Sequence, residues 1–293
     1  MDLTKAKIFL FAVDSGSLSK AAFAFNYTPS GISHMMSAFE AEIGFSLLIR
    51  TKTGVFPTPN AKKIIPIIRA QCQWNESLVQ MSSQIKGLNV GNLTIAAYAS
   101  IASQWLPKII NEFHKDYPAI VINVLDGVWQ EVENNLAERK ADIGFYSYQP
   151  SIKHQWVPLR KDDMVLAVPL THPLAQYESV KLSDVPRDQL IVPAYGSDID
   201  VLNLLSEEHL ASDKEQFHIS TLENASAMSM VELGLGVVIS NRLITQRMKY
   251  KVKLLPFDPP RYITLGMAVP EESKLTPAVV KFVEYTRNII STI

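Results

Sequence analysis

The stretch KAAFAFNYTPSGISHMMSAFEAEIG, Lys20 to Gly44, limits the possible folds more than any other part of the chain. Its second half carries two stripes. Ile32, Met36, Phe39 and Ile43 recur at i, i+4, i+7 and i+11, which lines one face of a helix. Ser30, Ser33, His34 and Ser37 recur at i, i+3, i+4 and i+7 and line roughly the opposite face. Such a helix is held down on one side and offers small hydrogen-bonding groups on the other.

The flanking sequence supplies what would hold it. Leu3, Ala6, Phe9, Leu10 and Val13 read as a first amphipathic helix ending near Ser15-Gly16. Ser17 is a good N-cap for a second, Leu18 to about Phe25, with a small waist at Ala21-Ala22. Thr28 caps the third, and Pro29 sits where a first helical turn tolerates proline. A small waist and a short break between helices are the helix-turn-helix signal. Two β-type runs, Leu47–Arg50 and Val55–Pro57, flank the basic turn Thr51-Lys52-Thr53-Gly54 and predict a wing.

From Thr58-Pro59 to about Lys86 the pattern is helical, with Ile64, Ile67/Ile68, Trp74, Leu78, Met81 and Ile85 as its apolar stripe. So long a stripe on an extended helix calls for a partner helix, and it reads as a dimerisation linker. Pro66 is expected to kink its first turns. Gly87–Asn92 reads as a hinge. Beyond it, strand-like runs at Leu93–Ala97, Ile120–Leu125, Ile143–Tyr148, Met164–Val168, Leu190–Val192, Phe217–Ser220 and Gly236–Ser240 alternate with helices. The helices are placed at Gln104–Tyr117, Gln130–Arg139, about Val201–Leu210, Ala225–Leu233 and Pro277–Ile290. The alternation predicts an α/β domain with a mainly parallel sheet.

The composition, 47% apolar and 19% charged over 293 residues, suffices for about two ordinary soluble domains. Charge is uneven: residues 1–90 hold nine Lys/Arg against five Asp/Glu, and the remainder nineteen against twenty-four. A basic front and an acidic back suggest different partners for the two parts. Cys72 is the sole cysteine, so no internal disulfide can form, and it reads as a small apolar residue of the linker helix. No signal peptide is read in MDLTKAKIFLFAVDSGS, and no run of about 18 uncharged apolar residues predicts a membrane span. The expected location is the cytoplasm.

The ordered strings GSLSKAA, TPSGIS, FEAEIG, LLIRT and PTPNAKKI resemble those of LysR-type transcriptional regulators. In the back half LPKIINEFHKDYP, KADIGFYSY, LAVPLTHPLA and MVELGLGVVIS resemble that family's effector-binding domain. The chain departs from the family at Pro29, often Gln; at His34, often Arg; at Asn60-Ala61, usually Ala-Gly; and at Pro66. The resemblance implies a winged helix-turn-helix over 1–58, a linker helix over 59–88 and an effector-binding domain over 89–293. It gives that domain a two-lobed, periplasmic-binding-protein-like fold, with lobe I about 92–163 and 265–293 and lobe II about 164–264.

With the resemblance, the two-striped helix reads as one that lies in a DNA major groove, its serines reaching phosphates or base edges. The candidate DNA-binding set is Ser17, Thr28, Pro29, Ser30, Ser33, His34, Ser37, Arg50, Lys52 and Thr53. Since the helix has no Lys or Arg, Arg50 and Lys52 must supply much of the phosphate attraction. In the back domain Ser100, Ile101 and Ser103 follow the first strand and open a helix, and Asn224 opens another. Helix N-termini beyond strand ends suit an anion. The resemblance adds Tyr146, Pro193 and Ala194 to this effector set. Without Lys or Arg in segments 98–103, 192–198 or 222–227, a small carboxylate is expected rather than a polyanion.

Gly234-Leu235-Gly236 lacks the third glycine of a dinucleotide motif and follows a helix, so it reads as a helix stop. No HExxH, Cys/His cluster, GxSxG elbow or carboxylate pair stands out, so neither an enzyme, a metal nor a cofactor is expected. The expectation is a DNA-binding regulator controlled by a small molecule, working as a homodimer or homotetramer, a dimer of dimers, away from the membrane. Alternative readings are a solute-binding protein of a transport system and, less favoured, an enzyme on the same lobes.

Overall fold

Capping chemistry sets the first elements. In the computed structural model, which describes residues 2–86, 90–152, 154–193, 199–207, 219–221, 223–246, 249–269 and 276–292, Asp2 caps α1 (Leu3–Ser15) and Ser17 caps α2 (Leu18–Ala24). Thr28 caps α3 (Pro29–Ile43) by accepting from the Gly31 amide at 3.1 Å, with Pro29 in its first turn. β1 (Leu48–Thr51) and β2 (Gly54–Pro57) form an antiparallel hairpin, and Thr58 caps α4 (Pro59–Ile85). The chain gathers into two compact units, Met1–Gly91 with Glu138–Lys140 and Asn92–Ala137 with Ala141–Ile293.

The first unit has its own core. Ile8 and Phe9 of α1, the Ala21-Ala22 waist, and Ile32, Met36 and Phe39 of α3 are all buried together with Leu47 and Val55 of the hairpin. The Phe9 and Phe39 rings stand 5.8 Å apart in a tilted pair. Gly54 is demanded by its surroundings: its φ is +143°, and a Cβ there would lie 2.5 Å from the Gly16 carbonyl oxygen. That same oxygen accepts from the Val55 amide at 2.9 Å, so the wing is stitched to the turn between α1 and α2. α4 runs from Pro59 to Ile85 with Pro66 inside it.

In the second unit β3 (Gly91–Tyr98) leads into α5 (Ala99–Gln104) and α6 (Leu106–Asp116), followed by β4 (Ile120–Gly127), α7 (Trp129–Ala137) and β5 (Ile143–Ser147). The expected helix Gln104–Tyr117 is α6, which starts at Leu106, and the helix expected to open at Ser100 is the separate α5. The two meet at Trp105, because Pro107 has no N–H to continue the ladder and restarts a helix in its first turn. Next come β6 (Gln155–Pro169), β7 (Ile191–Pro193), α8 (Ile199–Glu207), β8 (Ile219–Thr221), α9 (Asn224–Glu232), β9 (Val238–Asn241) and α10 (Arg242–Thr245). β10 (Val252–Pro256), β11 (Tyr262–Val269) and α11 (Pro277–Ile290) finish the chain.

The sheet is mixed, not mainly parallel. Its order is β10-β6-β11-β5-β3-β4, with β9 also on β6. β3 and β5 run parallel, but β11 is antiparallel to both β5 and β6, and β9 and β10 are antiparallel to β6. The organiser is β6, a strand of 15 residues. Its first half pairs with β11 across a register shift at Leu265/Gly266, opposite Pro158, and its second half pairs with β9 and β10. β6 therefore passes from one hydrophobic cluster, around Leu93, Ile95, Phe113, Phe145 and Phe282, to another around Met164, Leu166, Val192 and Leu255.

Expectations at Gly87–Asn89, Ala194, the end of the helix placed at Val201–Leu210, and Phe217-His218 lie outside the described residues. Among the described residues no helix is long and apolar enough to cross a membrane.

Candidate nucleic-acid interface and effector cavity

The helix-turn-helix presents α3 as its sequence implies. Ile32, Met36 and Phe39 are buried and Ile43 packs against them, while Pro29, Ser30, His34 and Ser37 are exposed. Ser33 differs from its stripe. It is half-buried, and its Oγ accepts from Arg50 Nη1 at 2.6 Å, which ties β1 to the middle of α3. The Ser37 hydroxyl donates to the Ser33 carbonyl at 3.1 Å, and Thr28 and Ser30 hydroxyls lie 3.2 Å apart. Arg50, Lys52 and Thr53 are exposed on the wing, where Thr53 Oγ1 is 3.0 Å from Thr51 Oγ1. Ser17 is half-buried and spends its Oγ as an acceptor from the Lys20 amide.

Sequence reasoning misses one structural residue here. Glu40 Oε1 accepts from the Leu47 and Leu48 amides at 2.7 and 3.0 Å, fixing the start of the wing to the end of α3. Two adjacent amides satisfied by one carboxylate leave no local periodicity to read. On α4, Ile68 is buried and Ile64 packs into the same core, but Ile67, Trp74, Leu78, Met81 and Ile85 are exposed. Cys72 is half-buried, and burial pushes its thiol pKa up, away from nucleophilic chemistry.

The second unit holds a cavity of about 630 Å³. It lies at the carboxyl ends of β3 and β4 and beside β9: Tyr98, Ser100, Ser103 and Gln104 line it, as do Gly127, Val128, Met164, Ile239, Ser240 and Asn241. Asn224 and Ala225 bring the N-terminus of α9 to it, and Glu223, the N-cap, makes no side-chain capping bond. Asp162, its pKa raised by burial, accepts from the Leu243 amide and from Asn241 and so fixes that wall. Among the described residues the lining contains Asp126, Glu131, Asp200 and Glu223 and no Lys, Arg or His.

Asp200 is the chemical centre of this wall. Its Oδ1 accepts from Ser147 Oγ at 2.6 Å and from Gln149 Nε2 at 2.9 Å. Tyr98 Oη is 3.0 Å from Ser147 Oγ, and Asn203 Nδ2 donates to Gln149 at 2.7 Å. A polar network thus joins the ends of β3 and β5 to α8. Burial pushes Asp200 up to about 6, with the two donors pulling against it; burial likewise raises Tyr98 well above its ordinary value, the Asp200 charge adding to it. No part of this network is legible in the sequence, since its members come from segments about fifty residues apart.

Of the effector set, Ser100, Ser103 and Asn224 reach the cavity. Ile101 does not; it is fully buried in the core around Leu93 and Phe113. Tyr146 does not either. Its ring packs beside Trp156 and its hydroxyl donates to Glu133, so it forms core instead of an aromatic wall, with burial the main cause of its raised pKa. Pro193 ends β7, paired in parallel with β8. The helix that Ser100 opens, α5, spans only six residues, and the Ser103 hydroxyl donates to the Ser100 carbonyl. The acidic lining repels negative charge and so speaks against the expected small carboxylate. Gly234, with φ +79°, stops α9 as expected, and a Cβ on Gly236 would strike the Gln189 carbonyl at 2.3 Å. Among the described residues no group of three or more His, Cys, Asp or Glu side chains could hold a metal ion.

A winged helix-turn-helix on a long helix, with a separate mixed α/β unit that holds a cavity, defines a ligand-responsive transcriptional regulator. Residues 3–62 match the bacterial regulatory helix-turn-helix of the lysR family, and residues 86–289 match the LysR substrate binding domain. The chain belongs to the LysR family of transcriptional regulators. It is 28% identical over 292 residues to the uncharacterized HTH-type transcriptional regulator YvbU of Bacillus subtilis, covering 99% of each chain. In fold it is similar to full-length OxyR from Pseudomonas aeruginosa, solved as a cysteine-to-aspartate variant, with TM-score 0.77, 17% identity, and coverage of 99% of this chain and 94% of that one. It is also similar to full-length CbnR complexed with its target DNA, with TM-score 0.68, 19% identity, and coverage of 98% and 99%.

Proposed function

We propose that α3 enters the major groove of operator DNA with Pro29, Ser30, His34 and Ser37 toward the base edges. Arg50, Lys52 and Thr53 meet the phosphates, and Ser17 and Thr28 flank the groove through their helix caps. Ser33 acts by anchoring Arg50 as well as by its own hydroxyl. The observation that carries this reading is the division of α3, whose Ile32, Met36 and Phe39 are buried while Ser30, His34 and Ser37 stay exposed. CbnR, of similar fold, is a protein solved on its target DNA.

The exposed apolar stripe of α4 pairs with the same helix of a second copy, making a homodimer that assembles further as a dimer of dimers. The cavity is the effector site, between lobe I, about 92–163 and 265–293, and lobe II, about 164–264, with β6 as a strand shared by both. Effector binding changes the lobes' closure and, through α4, the spacing of heads on DNA. The protein works in the cytoplasm and catalyses no reaction. The test is a gel shift of the full chain on DNA upstream of its own gene. His34→Glu is expected to abolish the shift with unchanged thermal unfolding; a normal shift would place the DNA face elsewhere.

A further inference from the structure

We infer that the cavity takes an organic cation, a small molecule bearing at least one protonated amine, with Asp200 as its counter-charge. This rests on reading the cavity as the effector site and names the class of molecule that fills it. Four carboxylates line the space, and among the described residues no Lys, Arg or His does. Glu131 is partly committed, since its Oε2 accepts from the Val128 amide at 3.0 Å. Asp126 and Glu223 are exposed at the edge of the lining.

Asp200 is the member that a ligand must answer. It is largely buried, and both of its hydrogen bonds, from Ser147 and Gln149, converge on Oδ1. Both donors are neutral, so neither cancels the charge. A carboxylate buried without an opposite charge is a costly arrangement, and an arriving cation relieves that cost. Burial without a counter-charge raises its pKa to about 6, which a bound cation would pull back down.

The opposing feature is the N-terminus of α9, whose free amides attract negative charge. It amounts to roughly half an elementary charge, and Glu223 at the N-cap already places a carboxylate beside it. The four full negative charges outweigh it. A bare metal ion is not the cation of choice, because the described residues offer no group of three or more ligating side chains. The remaining lining alternates polar groups, Tyr98, Ser103, Gln104 and Ser240, with Met164 and Ile239, which suits an amine on a short carbon skeleton.

The test is thermal shift and calorimetry on the full chain with three matched sets of probes. Putrescine, cadaverine and agmatine are the cations, succinate and glutarate the anions, and diols of equal length the neutral controls. At least one cation is expected to stabilise the protein saturably, and the anions and diols are not. Asp200→Asn should weaken that cation at least about tenfold, and Asp126→Asn with Glu223→Gln should weaken it less. If Asp200→Asn does not fold, the exposed pair of substitutions decides. Stabilisation by an anion or diol that Ala225→Trp abolishes would overturn the cationic assignment while leaving the cavity as effector site. No stabilisation by any cation, or a cation effect untouched by all these carboxylate substitutions, also overturns it. Failure of the regulator reading itself appears separately, as loss of binding to DNA upstream of the gene by the wild-type protein.

Discussion

The two units solve recognition in opposite ways. In the first, the proposed contact surface is a contiguous run, Thr28 to Ser37, plus a hairpin whose four-residue strands are joined by Lys52 and Thr53. Its polar groups other than the half-buried Ser33 stand exposed, and its charges, on Arg50 and Lys52, are positive and open to water. In the second, the lining comes from segments spread between Tyr98 and Ile244, and its central group is a largely buried acid. A flat surface for a long polyanion needs reach and positive charge; a cavity for a small molecule needs enclosure and a charge hidden from water.

Breaking the core of one unit should leave the other working. Phe39→Ala removes a fully buried ring packed on Phe9, at a cost of about 3–5 kcal/mol. The expected outcome is a head unfolded in calorimetry and no DNA binding, with the ligand response of the second unit retained. Concerted unfolding of both units would erase the contrast. Next in size is assembly. Leu78→Lys with Met81→Lys places two charges on the exposed stripe of α4, and multi-angle light scattering should report a monomer for this variant and at least a dimer for the wild type.

Legibility in the sequence follows the same contrast. The 3.6-residue period of Ile32, Met36 and Phe39, and the caps at Ser17, Thr28 and Thr58, are local signals, and the structure places those elements within a residue or two. The sheet is less legible. β6 contains Pro158 and the charged run Arg160–Asp163, so only its apolar second half reads as strand, and its antiparallel partners β10 and β11 escape notice. Strand direction is decided by which remote segments pair, and alternation along the chain does not record that. The family resemblance assigns Tyr146 to the effector site, and chain position assigns Ile101. A strand alternates its faces, however, and Tyr146 stands on one turned into core, while Ile101 faces inward from α5. Asp200, by contrast, is one more acid on a helix until Ser147 and Gln149 are folded against it.

The buried acid extends the contrast to pH. Asp200 is raised from 3.8 to about 6 by burial, so the folded protein holds this proton more tightly than the unfolded chain. Its contribution to stability is therefore full below about pH 4 and lost as pH rises through about 6. Asp200→Asn is expected to stabilise the second unit above about pH 7, by at most about 3 kcal/mol, and to make little difference near pH 4. Denaturant titrations at both pH values read this; an equal effect at the two would detach it from ionisation. The smallest effect belongs to the wing. Arg50→Ala removes the bond to Ser33 and, on the proposed reading, one phosphate contact. It should weaken all DNA sequences alike and lower the slope of log affinity against log salt by about one, measured by fluorescence anisotropy. A change confined to one sequence would make Arg50 a base reader.

The division of labour between the units is tested most directly by DNase I footprints on DNA upstream of the gene for the wild type, Ser37→Glu and Ala225→Trp. Ser37 is exposed on α3, and Ala225 lines the cavity at the first turn of α9. Ser37→Glu is expected to erase protection without altering ligand-induced stabilisation, while Ala225→Trp fills the cavity, removes that stabilisation and keeps protected DNA. Protection surviving in Ser37→Glu, or lost equally in Ala225→Trp, would contradict the separation of DNA reading from ligand sensing.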